Sequence, residues 1–125
     1  MNISSDTPRY DVSTVWKDST DFIHIPNFIE QNSTISEITI CGWFKTNTLN
    51  NTAPNLFNFG ANNFIRGRIA GSASLWSYWN INGTKVGVSA TTGATTDDKW
   101  HHYVFSFKDG VIKTYFDGML KGTSN

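Results

Sequence analysis

Apolar and polar residues alternate along most of this chain with a period of two, broken at short intervals by Gly, Pro, Asn and Asp. Successive side chains leave a strand on opposite faces, so this period predicts strands with one face toward a core. Between Thr34 and Thr46 the alternation is regular. Ile38, Ile40, Gly42 and Phe44 share one face, and Thr39, Cys41, Trp43 and Lys45 share the other. Both faces carry bulk, which predicts a central strand. An earlier, shorter strand is predicted at Phe22 to Ile25, stopped by Pro26, which has no N–H for a ladder. Further strands are predicted at Leu56 to Phe59, Phe64 to Ile69, Leu75 to Ile81 and Thr84 to Thr91, the last two joined by Asn82-Gly83.

The segment KWHHYVFSFKDGVIKTYFDGMLKG, Lys99 to Gly122, predicts three antiparallel strands joined at Asp109-Gly110 and Asp117-Gly118. A two-residue type I′ turn needs positive φ at both central positions, which Asp-Gly tolerates better than most pairs. β-Branched and aromatic residues flank both turns. No segment carries a helical period with a cap. Short strands in close succession without helices predict an all-β antiparallel sandwich or jelly roll. Residues 1–20 are polar with isolated apolar positions and read as an N-terminal arm or irregular first strand. Residues 21–125 then form the sandwich domain.

Composition narrows the partners. At 125 residues the chain has room for one domain with a real core. Charged residues are 16% and the formal net charge is zero, which argues against a basic surface for nucleic acid. Cys41 is the only cysteine, so no intrachain disulfide forms, and its strand position predicts a small buried hydrophobe. Asn-x-Ser/Thr sequons at Asn2, Asn32, Asn50 and Asn82 matter only in a secretory pathway. The opening MNISSDTPRYDV lacks the basic and apolar stretches of a signal peptide, and no apolar run is long enough for a membrane span.

The Trp-His-His run at Trp100 to His102, the Lys-Asp-Gly turn at Lys108 to Gly110 and Tyr-Phe-Asp-Gly at Tyr115 to Gly118 together resemble the signature of laminin-G-like domains. These belong to the concanavalin A-like lectin/glucanase superfamily. DSTDFIHIPNF (Asp18 to Phe28), ISEITICGWFKTN (Ile35 to Asn47) and LFNFG (Leu56 to Gly60) resemble the family's opening strands in order and spacing. The resemblance implies a concanavalin A-like jelly-roll sandwich and a non-catalytic recognition or adhesion module for glycan or a surface protein. It implies an extracellular or virion-surface location. Family members usually continue into further, closing strands, whereas this sequence ends at Asn125. That departure implies either a trimmed domain or an unclosed sandwich whose gap other subunits fill, in a homo-oligomer or a larger assembly, and the second is the expectation taken here. The alternative function is a structural virion component, a fibre or decoration protein, using the same fold for assembly.

Candidate chemistry follows from residue types. Retaining glycosidases need two carboxyl groups roughly 5 Å apart. Glu30 and Glu37 are the only glutamates, and neither begins the Glu-x-Asp-x-Glu motif of the superfamily's glucanases, so no enzyme is expected. His101 and His102 are adjacent and point to opposite faces, which bars them from sharing one ion and predicts local hydrogen bonding. Calcium is a candidate cofactor because relatives often carry a rim-loop site. Asp18, Asp21, Asp97 and Asp98, with Asn62 and Asn63, offer oxygen ligands that no spaced motif unites. Glycan binding needs exposed aromatic faces beside polar groups. In SLWSYWNING, Leu75, Trp79 and Ile81 suit the core, which leaves Trp76, Tyr78 and Asn80 as an exposed amphipathic strip. Arg66 and Arg68, same-face neighbours on the preceding strand, complete the predicted ligand site.

Overall fold

The computed structural model describes residues 36–48, 53–60, 64–81 and 83–124, with the side chain of Ile81 excepted. The predicted strand at Phe22 to Ile25 and the proposed arm at 1–20 lie outside the described residues. Eight strands follow in order: β1 (Glu37–Lys45), β2 (Asn55–Phe59), β3 (Phe64–Ile69), β4 (Ser74–Ile81), β5 (Thr84–Thr91), β6 (Trp100–Lys108), β7 (Val111–Phe116) and β8 (Met119–Thr123). They form two four-stranded antiparallel sheets, ordered β1-β6-β7-β8 and β2-β3-β4-β5. The described residues contain no helix, and therefore none long and apolar enough to cross a membrane.

The second sheet is a meander in which each strand pairs with the next, as the alternation and its turns predict. The first sheet uses both Asp-Gly turns. Asp109 and Gly110 take φ of 49° and 82°, and Asp117 and Gly118 take 48° and 79°, the positive pairs of a type I′ turn. β1 joins this sheet from far upstream, pairing along its whole length with β6 from Glu37↔Lys108 to Lys45↔Trp100.

The core lies between the sheets. Ile65, Phe105, Phe107 and Ile112 form one buried cluster, with Ile38, Ile40, Phe57, Trp79, Val86 and Val88 packed against it. Ile69, Leu75 and Phe116 form another, flanked by Phe44, Leu56 and Tyr103. Trp79 of one sheet stacks on Phe107 of the other with ring centroids 3.9 Å apart. A register shift between Asn55 and Phe57 lets the consecutive residues Leu56 and Phe57 both pack into the core. The sheets approach closely at Gly122, where an added Cβ would stand 2.7 Å from Val88 Cγ2.

One expectation fails at β1, which among the described residues pairs with β6. Its second bulky face looks outward, so Trp43 is 65% exposed and Cys41 is exposed instead of buried. Side-chain size on both faces records what a strand carries, but not whether a second layer covers it.

Candidate functional site

The alternation that sends Ile65, Gly67 and Ile69 into the core turns Arg66 and Arg68 onto the outer face of β3. On β4, Leu75 and Ser77 are buried while Trp76 and Tyr78 face outward and are half-buried. The β3–β4 register sets Arg68 opposite Trp76, Arg66 opposite Tyr78 and Phe64 opposite Asn80. All five predicted ligand residues therefore share one sheet face. Asn80 departs from expectation. It retains only 8% exposure, between Phe64 on one neighbouring strand and Lys85 on the other.

The side chains on this face interlock. The Trp76 and Tyr78 rings meet edge to face with centroids 5.7 Å apart. The Arg68 guanidinium lies over the Trp76 ring at 5.0 Å, and that of Arg66 over the Phe64 ring at 4.6 Å. Arg66 Nε donates to Asn58 Oδ1 at 3.1 Å, which ties β2 to the strip. Arg68 Nε is enclosed without a hydrogen-bond partner among the described residues. Across from Tyr78 stands Gly87, where an added Cβ would come within 2.9 Å of Tyr78 Cδ1. Glycine at 87 thus lets the phenol ring lie against β5. Burial pushes the Tyr78 hydroxyl above its ordinary value, opposed by the nearby charges of Arg68 and Arg66.

A second constellation sits at the start of β6. His101 faces inward and is buried, while His102 faces outward, its ring 4.9 Å from that of Trp43. The His101 ring is held between two carboxylates, with Nδ1 2.9 Å from Asp117 Oδ2 and Nε2 2.9 Å from Asp97 Oδ1. It also stacks on Phe116, with centroids 4.7 Å apart. Burial alone lowers the His101 pKa, but hydrogen bonds and charge from Asp117 and Asp97 outweigh it and hold it above 6.5. The hydrogen bond to His101 pulls Asp97 below the usual carboxylate value. Burial raises Asp117, yet its bonds to the His101 ring and the His102 amide leave it lowered as well. Both ring nitrogens stand within hydrogen-bond distance of a carboxylate, an arrangement that favours the protonated ring over the neutral one.

The predicted metal ligands divide. Asp18 and Asp21, with Asn62 and Asn63, lie outside the described residues. Asp97 is engaged by His101 and by Lys99 at 3.4 Å, and Asp98 pairs with Lys45 at 3.4 Å. No three His, Cys, Asp or Glu side chains gather to hold a metal among the described residues.

Asn58 and Phe64 were not singled out from the sequence as parts of the strip. Their alternation with Phe57, Phe59 and Ile65 carries that signal. The clamp on His101 had no comparable signal, because its two aspartates arrive from a loop and a turn.

Compared with known proteins, the chain matches one family model, Laminin_G_3, described as the concanavalin A-like lectin/glucanases superfamily, over residues 17–125. No curated protein and no solved structure matches it at a significant level.

Proposed function

The chain belongs to the laminin-G-like branch of the concanavalin A-like lectin/glucanase superfamily, and from that premise we propose that it is a non-catalytic recognition module binding saccharide on the outer face of the β2–β5 sheet. The observation that carries this reading is the Arg66, Arg68, Trp76 and Tyr78 strip. Aromatic groups and hydrogen-bond donors are interlocked there on the rigid middle strands of a sheet. Rigid placement lowers the entropy lost on binding. The absence of acids argues for binding over hydrolysis. The sequence has no Asp or Glu between Glu37 and Asp97, so the β2–β5 sheet has no carboxyl pair for glycoside cleavage.

The test is a glycan array probed with the native chain and with a Trp76→Ala, Tyr78→Ala double variant. We expect defined saccharides to bind and the double variant to lose at least about tenfold in affinity, the equivalent of about 1.4 kcal/mol. Unchanged binding in the variant moves the site elsewhere.

The other sheet favours a second reading, in which the fold serves assembly, as in a virion fibre or decoration protein. Trp43, Trp100, Met119 and Leu120 are each more than half exposed on the β1-β6-β7-β8 sheet, apolar bulk that a neighbouring subunit would cover. Light scattering on the eluted protein separates the readings: a stable oligomer supports assembly and a monomer removes it.

A further inference from the structure

We propose that the outer face of the β1-β6-β7-β8 sheet binds a second copy of this chain, about a two-fold axis that runs along the row Cys41, Val104, Tyr115 and Leu120; this rests on the assembly reading above and names its partner. The register sets these four residues side by side across all four strands, as Cys41↔Val104, Val104↔Tyr115 and Tyr115↔Leu120. Cys41 and Leu120 are exposed, and Val104 and Tyr115 are half-buried. The row is an apolar band at the middle of the face, because Cys41 and Val104 are the central residues of the nine-residue strands β1 and β6. A two-fold rotation about this row lays each of its residues against its own counterpart and exchanges the two ends of every strand. Positions equally far before and after the row then meet across the interface.

Those positions are complementary in charge. Glu37 stands four residues before Cys41 and Lys45 four after it, on the same face of β1. The carboxylate of each copy therefore meets the ammonium of the other. On β6, Lys108 and Trp100 stand four residues either side of Val104, which brings an ammonium over an exposed indole. Lys113, two residues before Tyr115, comes to the copy's Asp117-Gly118 turn, again opposite in charge. Size matches as well. Trp43 and Thr39 lie two residues either side of Cys41, and His102 and Ser106 two either side of Val104. Each ring of one copy thus faces a small hydroxyl residue of the other. A face whose two ends complement each other suits its own copy, whereas a lipid surface or a partner of one charge would match a single end.

The area is sufficient. Nine-residue strands span about 30 Å and four strands about 19 Å, a footprint of about 600 Å² before side-chain relief. A standard interface takes about 800 Å² from each partner, so nearly the whole face is engaged.

The experiment is sedimentation equilibrium of the full chain, joined to cross-linking at Cys41. The native chain should be a dimer. Glu37→Lys and Lys45→Glu should each weaken the dimer at least about tenfold, and the chain carrying both should regain native affinity. Arg66→Gln, on the other sheet, should change nothing, and matching thermal midpoints show that the variants fold. Sheets packed face to face lie about 10 Å apart, too far for a disulfide, whose Cα atoms stand within about 7 Å, but within reach of a short bismaleimide. Cys41 is the only cysteine, so a covalent dimer reports this contact and no other. An oligomer that fails to cross-link at Cys41, or that is indifferent to the exchange of charges, overturns this interface and leaves the assembly reading standing. A monomer overturns both. In that monomer, a Cys41 shielded from maleimide means that another part of the same chain covers the face, and flotation with phosphatidylcholine vesicles means that a lipid surface does.

Discussion

His101 and Asp117 are joined by a 2.9 Å contact from Nδ1 to Oδ2, which links the start of β6 to the β7–β8 turn beneath the stacked ring of Phe116. Asp117 Oδ1 also accepts the His102 amide at 2.9 Å, so one carboxylate fixes both the ring and the backbone of the adjoining strand.

Stability should therefore depend on pH on both sides of a plateau. His101 has a raised value when folded, so its contribution is full below the ordinary imidazole value, about 6.5, and is lost as pH rises through the folded value. Asp97 and Asp117 have lowered values, so theirs is full above about 3.9 and is lost as pH falls through the folded values. The thermal midpoint should be highest between these limits. Asp117→Asn should lower that plateau and flatten the alkaline decline. A native profile that stays level well above neutrality would refute the charged clamp.

The sheets also share a buried hydrogen bond. Ser77 Oγ and Thr114 Oγ1 lie 2.7 Å apart, at 3% and 2% exposure. Ser77→Ala strands the Thr114 hydroxyl and should cost about 1–3 kcal/mol in urea unfolding. Adding Thr114→Val removes the stranded group, so the double variant should be closer to the native chain than the single one. A double variant as unstable as the sum of the two singles would show that the bond is not the coupling.

Gly122 is required by proximity, not by backbone conformation. A Cβ there would meet Val88 Cγ2 at 2.7 Å and Ala90 Cβ at 3.2 Å, both short side chains with little room to yield. Gly122→Ala should destabilise by about 1–3 kcal/mol through overpacking. Val88→Ala in the same chain should recover part of that loss in a chemical denaturation series, despite being a truncation in its own right. No recovery would place the strain somewhere other than between β8 and β5.

Much of the fold was legible because its signals are local. Phe64–Ile69 and Thr84–Thr91 follow from alternation, and the turns at Asp109 and Asp117 follow from which residues accept positive φ. The inward Trp79 was legible too, since Leu75 and Trp79 left only one apolar face on β4. The cover over a face was not legible. The alternation at Cys41 and Trp43 is the same whether or not a second layer packs there. The face shared by Arg66, Arg68, Trp76 and Tyr78 could be read from parity, but the guanidinium lying over the Trp76 ring could not. Such stacking depends on rotamers set by neighbours on two strands. The His101 clamp is hidden for a related reason: Asp97 and Asp117 become neighbours only after β6 and β7 pair.

The topology also sets a timetable. β1 leaves the ribosome first, but its partner β6 is not made until the whole β2–β5 meander has followed. The meander needs only hairpins between consecutive strands, whereas the β1–β6 ladder must close residues 46–99 into a loop. During that interval Ile38, Ile40 and Phe44 lack β6, the strand that joins β1 to its sheet among the described residues. Pulse-labelled hydrogen exchange during refolding should find β2–β5 amides protected before those of β1. The reverse order would mean that the long-range ladder, not the meander, starts the fold.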